Sequence, residues 1–394
     1  MLSGKRIVLG VTGGIAAYKA VEISRRLVDA GAHVSPIMTN AAKKFIGEVT
    51  LSALASERVK TSLWDDTDPI PHTTLGQEAD LIVVAPATAK LIGTYAAGIS
   101  DDLLTATLLA TRAPVLVCPA MHTEMWEHPA VQENVDTLRR RGVGIIEPEE
   151  GLLAGGDIGR GRLASVDSIL SEIESALSKR DLEGLQFLIT AGGTKEPLDP
   201  VRYISNKSSG KQGYALAEAA KVRGANVTLV TTMETKAPPG VRVLCADTAI
   251  SLEKVVMEES ENKDVIIMAA AVADFRPSEI SNKKIKKTLK VKSLPLEPTH
   301  DFLIDLGAQK KTGQTIVGFA AETENLEENA KDKLIRKNLD LIVANDVSLP
   351  DVGFAYDTNE VTIISDDSKW TIPLAAKRVV ADGILDAILE VRQQ

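Results

Sequence analysis

At 394 residues the chain has room for two domains with separate cores, and its 44% hydrophobic and 25% charged content is that of a soluble globular protein. A net charge of −9 argues against a general polyanion binder, and 4% aromatic residues leave few rings on which nucleic-acid bases could stack. No apolar run is long enough for a signal peptide or a bilayer span, and Cys118 and Cys245 lack metal-ligand spacing. The expectation is a cytoplasmic protein with two buried free thiols and neither nucleic-acid nor membrane partners.

Short apolar, β-branched runs alternate with helical patterns. Strands are expected at Arg6–Val11, His33–Met38, Leu81–Ala85, Val115–Cys118 and Gly144–Ile146, with helices at Ile15–Ala30, Asp102–Thr111 and Val131–Arg141. A charged helix over Ser165–Glu183 runs into the linker-like SKRDLEG. The alternation then restarts, with strands near Gln186–Thr190, Asn226–Thr231, Val241–Cys245, Val265–Met268, Leu341–Val343 and Val361–Ile364. This is an α/β pattern: two doubly wound, Rossmann-like domains over residues 1–180 and 181–394.

In the first half, Gly13 and Gly14 close a strand, and Ile15 opens a helix whose free N–H groups suit a terminal phosphate. Thr39 and Asn40 follow the second strand, Pro86, Ala87 and Thr88 the third, and Met121 and His122 the fourth. Small or polar residues at strand tips on one sheet edge make a ligand crevice. On the residues alone, ordinary αβ loops are the favoured reading.

The second half opens with the most informative run. The strand Leu185–Ile189 feeds Thr190, Gly192, Gly193 and Thr194, and Ser208, Ser209, Gly210 and Lys211 then open an amphipathic helix. Two turns able to turn backbone N–H groups toward an anion point to a nucleotide site, with two ordinary Gly-rich loops of an α/β fold an equal reading of the run by itself. It is no P-loop, because Ser205 stands where the first glycine belongs and Gln212 where a metal-holding hydroxyl belongs, and no dinucleotide fingerprint occurs.

The run TAGGT…E…DPVR…I.N.SSGK.G resembles the ligase half of the bifunctional enzyme family of coenzyme A biosynthesis. GGIAAYK, APATA, Gly98 to Leu104 and PAMxxxMW resemble the FMN-binding, cysteine-decarboxylating flavoproteins. The resemblance runs through nearly the whole chain. It implies a flavodoxin-like decarboxylase domain followed by a nucleotide-dependent ligase domain. For the ligase, the resemblance implies that CTP activates 4′-phosphopantothenate as an acyl-cytidylate for attack by the cysteine amine. For the decarboxylase, it implies FMN as acceptor of a hydride from the cysteinyl Cβ, so that a thioaldehyde can take the electrons left by CO2, and as donor of that hydride back to the product.

Carried over by matching position, the resemblance implies His72 as the base of the flavin site, with cofactor contacts at Gly13, Gly14, Ile15, Thr39, Pro86, Ala87, Thr88 and Met121. In the ligase half it implies Asn206 and Lys284 as catalytic, with Lys286 as the alternate to Lys284 in Asn282–Lys287. It also implies substrate contacts at Gly192, Gly193, Ser208, Ser209, Gly210, Lys211, Ala271, Lys286, Asp301, Phe319, Lys333 and Lys337. Asp274 is the expected contact to nucleotide and to Mg2+ or Mn2+, Asn345 and Asp346 shape the crevice, and Asp301 is placed to cap the next helix. Flavin sites of this kind lie between subunits, so a trimer-based flavin domain and a dimeric ligase domain are expected.

The chain departs from the family at Lys90 and His122, where asparagines are usual, and at Gly155, where the cysteine that reprotonates the product is usual. His122 remains able to bind a carboxylate and to donate that proton. Two alternatives stay open: an active ligase with an impaired flavin module, and a non-catalytic regulatory flavoprotein.

Overall fold

The computed structural model describes residues 2–64, 68–286, 293–322, 326–346 and 356–393, the side chains of Glu322 and Asp346 excepted. Contacts divide the chain into two units, Met1–Lys179 and Arg180–Gln394. Each is a doubly wound α/β unit, as the alternation of strands and helices predicts.

The first unit is built on a parallel sheet in the order β2-β1-β3-β4-β5: β1 Arg6–Val11, β2 His33–Met38, β3 Leu81–Ala87, β4 Val115–Pro119 and β5 Gly144–Ile145. Every residue of β3 is buried. Leu81, Val83 and Ala85 pack into one core, while Ile82, Val84 and Ala87 pack into the other. The period-two alternation of a strand thus feeds two apolar layers, which is why the run reads as continuously hydrophobic. Beyond β5 come two short strands with no sequence-level signal, β6 Glu149–Leu152 and β7 Ile158–Arg162, paired as an antiparallel hairpin.

Three helices depart from expectation in detail. The segment after Gly14 begins as a 3₁₀ turn, Ile15–Tyr18, before the α-helix Lys19–Asp29. Gly14 offers no side-chain oxygen to cap the turn, and i→i+3 bonds such as Ala17 N–H to the Gly14 carbonyl (3.0 Å) take up the free groups. The helix expected over Ser165–Glu183 is Val166–Leu177, capped by Ser165; Ser178 is extended and Arg180 has a positive φ of 49°, so the helix cannot continue. Leu103–Ala110 is held by a full capping box between Asp102 and Thr105, a device whose cap is worth about 1 kcal/mol.

The second unit has an eight-stranded sheet in the order β12-β11-β8-β13-β16-β17-β18-β19. Its strands are β8 Gln186–Ala191, β11 Asn226–Thr231, β12 Arg242–Cys245, β13 Val265–Met268, β16 Thr315–Glu322, β17 Leu341–Asp346, β18 Thr358–Ile364 and β19 Lys369–Ala376. Pairing is parallel up to β17 and antiparallel beyond it. Two hairpin pairs stand apart from this sheet: β9 Lys195–Asp199 with β10 Arg202–Ser205, and β14 Phe275–Pro277 with β15 Leu296–Pro298. Cys118 is buried, and burial pushes its thiol well above the usual range. Cys245, expected buried, is exposed, because β12 is the edge strand and pairs only with β11.

Candidate functional sites

In the first unit the strand order reverses between β1 and β3, and a ligand crevice belongs outside their carboxyl ends. Two adjoining cavities of about 480 and 490 Å3 lie there, sharing Gly13, Thr88, Ala89 and Met125. Lining the first are the 3₁₀ turn, the Met121–His122 tip of β4 and the inner side of the β6–β7 hairpin. Its apolar residues are unusually open: Ile15, Tyr18 and Leu152 are each more than 60% exposed. A Cβ on Gly14 would meet nothing within 4 Å, so a side chain there would stand in the cavity. Lys19 and Arg162 line the same wall. Burial, then the Arg162 charge, lower the Lys19 amine, against Glu149 and Glu22. An open apolar wall, a bare backbone turn and two cations fit a flat ring with an anionic tail.

Of the residues expected here, Gly13, Gly14, Ile15, Thr88, Met121 and His122 line the first cavity, and Thr39 lines the second. Gly13 is also a packing requirement, since a Cβ would strike Ala41. Pro86 and Ala87 are buried in β3 and are not among the residues lining either cavity. The Pro86 carbonyl instead accepts from the Thr12 hydroxyl (2.8 Å), and that hydroxyl accepts from the Thr88 N–H (3.1 Å), so the pair shapes the tip. His72 is not brought to either cavity of its own chain. It lies on the helix Pro71–Glu78, with Nδ1 buried and without a hydrogen-bond partner among the described residues. Tyr18 and Lys19 were not singled out by the sequence reading, although their spacing from Ile15 on one helical turn was the available signal.

In the second unit the reversal falls between β8 and β13. Gly192, at φ +96°, turns the chain after β8, and its carbonyl accepts from the Ala271 N–H (2.8 Å). Gly193 bridges Ala271, and a Cβ there would come 2.9 Å from the Asn206 carbonyl. Asn206 spends its amide on this frame, donating to the carbonyls of Ala271 (3.2 Å) and Val272 (3.1 Å). Gly192, Gly193 and Asn206 thus build the frame beside the cavity and are not among its lining residues.

The cavity itself, about 110 Å3, is lined by Ser208, Ser209, Gly210 and Lys211 at the start of the helix Lys211–Val222, with Ala269–Ala271 and Phe319 opposite. Gly213 lets that helix sit on β8, where a Cβ would fall 2.6 Å from the Ala191 Cβ. Three further lining residues escaped the sequence reading: Gln212, Asn359 and Lys377. The Lys377 side chain is almost wholly buried, and burial, then the Lys211 charge, push its amine down to about 8, against Asp357. Lys211 Nζ lies 2.6 Å from Asp357. Asn359 is 4% exposed and its Oδ1 has no partner among the described residues. Two lysines and a helix N-terminus make a site for polyanions.

The remaining expected residues surround this frame. Asp274 has an exposed carboxylate that takes no hydrogen bond among the described residues, and its carbonyl accepts from the Thr299 N–H (2.9 Å). Asp301 sits at the N-cap of Phe302–Ala308 but makes no cap bond; its carboxylate is 2.7 Å from Lys337. Lys337 falls one residue past the helix Leu326–Arg336 that carries Lys333, in its closing turn. Lys284 and Lys286 are exposed, and the intervening Ile285 N–H donates to Asp199 (3.1 Å). Asp199 also pairs with Arg202, and that hydrogen bond first of all holds its carboxyl far below the usual range. Lys287 and Thr323 lie outside the described residues.

Residues 1–178 match the family model "Flavoprotein", and residues 182–391 match "DNA/pantothenate metabolism flavoprotein C-terminal domain". A coenzyme A biosynthesis bifunctional protein, CoaBC, of Mycobacterium tuberculosis is 45% identical over 403 residues, covering 98% of this chain and 96% of the relative. Its namesake in Bacillus subtilis is 44% identical over 402 residues, with coverage of 100% and 99%. The chain belongs to the CoaBC family. A solved C-terminal domain of a CoaBC protein is 39% identical, covers 54% of this chain and 98% of its own, and has a TM-score of 0.46.

As a CoaBC family member the chain is a bifunctional enzyme of coenzyme A biosynthesis, combining phosphopantothenoylcysteine decarboxylase and phosphopantothenate–cysteine ligase activities, with a flavin as cofactor. Both are the activities that the sequence resemblance implies. Among the described residues no helix is long and apolar enough to cross a membrane.

Proposed function

We propose that residues 181–394 join 4′-phosphopantothenate to cysteine at the expense of CTP, and that residues 1–180 decarboxylate the product with FMN. The observation that carries the ligase assignment is the crevice at the β8–β13 switch, where Lys211, the buried Lys377 and the Ser208–Gly210 turn line one cavity of about 110 Å3. Lysines here offset the charge that accumulates as the α-phosphorus is attacked. Phe319 offers an apolar surface for a base or ribose. Asp274 supplies one carboxylate toward Mg2+ or Mn2+, the small number of protein ligands usual for a metal that also binds phosphates. Lys284 and Lys286 close over the triphosphate from the segment anchored by Asp199, and Asn206 holds the Ala271 floor against which the acyl-cytidylate lies.

In the flavin unit, Gly13, Gly14 and Ile15 hold the phosphate tail and Met121 borders the ring. FMN supplies a two-electron hydride acceptor that later returns the hydride. His72 meets the site of a neighbouring subunit in a homo-oligomer built of flavin-domain trimers and ligase-domain dimers, and moves the thiol proton. His122 binds the substrate carboxylate and reprotonates the product.

One observation favours a second reading, in which the flavin half stops at the unsaturated product: Gly155 carries no acid on the hairpin. The test is direct. CMP and pyrophosphate release should require CTP, 4′-phosphopantothenate and cysteine together, and CO2 release should require bound flavin. A colourless protein after FMN reconstitution that leaves CTP intact would defeat both assignments.

A further inference from the structure

The β6–β7 hairpin rests on Met121–Thr123 through three glycines. A Cβ on Gly161 would strike the Met121 carbonyl, and one on Gly159 the Thr123 hydroxyl. A Cβ on Gly155 would come 2.6 Å from His122 Cε1 and 3.0 Å from Nε2. The first two contacts are with the floor of the hairpin. The third is with an ionisable ring that lines the same cavity as Met121 and Arg162. The imidazole therefore occupies the volume that any side chain at 155 would need, and its position depends on that residue being glycine.

Chemistry asks for an acid in this place. Loss of CO2 from the oxidised substrate leaves an ene-thiolate, –S–CH=CH–NH–, two electrons short of the saturated thiol. To complete the product, a proton must reach the carbon beside the nitrogen: the C=C pair forms the new C–H bond while a sulfur pair forms C=S. The hydride taken from the substrate earlier in the turnover then returns to the carbon bearing sulfur, restoring the thiolate, so atoms and electrons balance. Among the described cavity-lining side chains, the His122 imidazole is the one that lies against residue 155, while the Lys19 amine donates to the Leu163 carbonyl (3.3 Å). An imidazole exchanges its proton near neutrality.

We propose that His122 is the catalytic acid of the reductive half-reaction and that Gly155 is its positioning residue, the imidazole filling the place a side-chain acid on the hairpin would otherwise take. The proposal rests on the flavin-decarboxylase reading above. The groups facing His122 are Glu124, whose Oε2 lies 3.9 Å from Nδ1, Asp157 beside Gly155, and the Arg162 and Lys19 cations of the cavity wall.

The experiment compares the flavin-loaded full chain with His122→Asn, Gly155→Ala and the double variant His122→Asn/Gly155→Cys. It follows the oxidised-flavin absorbance and the product mass, and adds the His122 imidazole NMR resonance of the flavin-free proteins. His122→Asn should bleach the flavin and release a product lighter by two hydrogen atoms, with reoxidation slowed by roughly 100-fold, the ordinary weight of a general acid. Gly155→Ala should shift the His122 resonance and slow reoxidation by about tenfold, an order of magnitude less than loss of the acid itself. The double variant should recover the saturated thiol, because the smaller amide vacates the volume and a thiol supplies the acid. Saturated product at the parental rate from His122→Asn, or an unmoved His122 resonance in Gly155→Ala, would overturn the proposal. If the parental protein neither bleaches nor releases CO2, the decarboxylase reading fails instead, and the resonance still decides whether Gly155 seats the ring.

Discussion

Replacing Lys377 by Met isolates a charge that lies far in sequence from the other residues of the ligase crevice. The Lys377 side chain is only 6% exposed, and its amine is pushed down to about 8 by burial and then by Lys211. At about 1.36 kcal/mol per tenfold, the free protein holds this charge at a penalty of ~3 kcal/mol relative to an ordinary lysine at 10.5. A bound triphosphate offsets that penalty by placing negative charge beside the amine. Losing a charge-assisted hydrogen bond of roughly 1.5–3 kcal/mol should raise the KM for CTP by about 10- to 100-fold at pH 7. In the parental protein, affinity for CTP should fall as pH rises through about 8, with proton uptake on binding; Lys377→Met should lose both. Stability moves the other way. Below about 8 the amine is charged in the folded and unfolded states alike and the penalty is complete; it fades as pH climbs from there toward 10.5. The variant should therefore be no less stable at neutral pH. Initial rates of pyrophosphate release at several pH values, with calorimetry in buffers of different ionisation enthalpy, measure these quantities. An unchanged KM together with unchanged proton uptake would refute the placement of Lys377 against the phosphates.

Three further outcomes follow from the geometry. Gly14→Val should leave the melting temperature unmoved, because the backbone there is extended and the added atoms enter open space, yet lower the flavin absorbance retained per chain. Asp199→Asn should free the Lys284–Lys286 segment, raising the KM for CTP with flavin content unaffected, since one amide oxygen cannot accept from Ile285, Val201 and Arg202 together. The Asp199 carboxylate's contribution is complete above the ordinary carboxylate value of about 4 and is lost only as pH falls toward its much lower folded-state value. Arg223→Met should destabilise the second unit, because Arg223 is 2.8 Å from both Asp181 and Asp386. Asp386 is largely exposed, so a loss of roughly 2 kcal/mol is expected in place of the 3–5 of a fully buried pair, readable by thermal unfolding of the ligase unit.

The sheets and the phosphate turns could be read in the sequence because their causes are local. β3 is a continuous apolar run because both faces of its sheet are covered, and Gly192 and Gly210 stand where the chain takes positive φ. Capping likewise depends on near neighbours, as in Asp102 with Thr105. Family-level likeness carried the two activities.

What only the tertiary structure decided are the encounters between distant segments. The antiparallel extension β18–β19 and the helix after it deliver Asn359 and Lys377 to a crevice whose other residues lie more than a hundred positions earlier or on separate strands. Asp301 looks like a helix cap in sequence, yet folding brings Lys337 within 2.7 Å, and a charged partner outcompetes the cap. Gly155 shows the same limit most sharply. In sequence it is a missing side chain; in space it is the room taken by the His122 ring, because steric exclusion acts between atoms that meet only after the hairpin has folded onto the tip of β4.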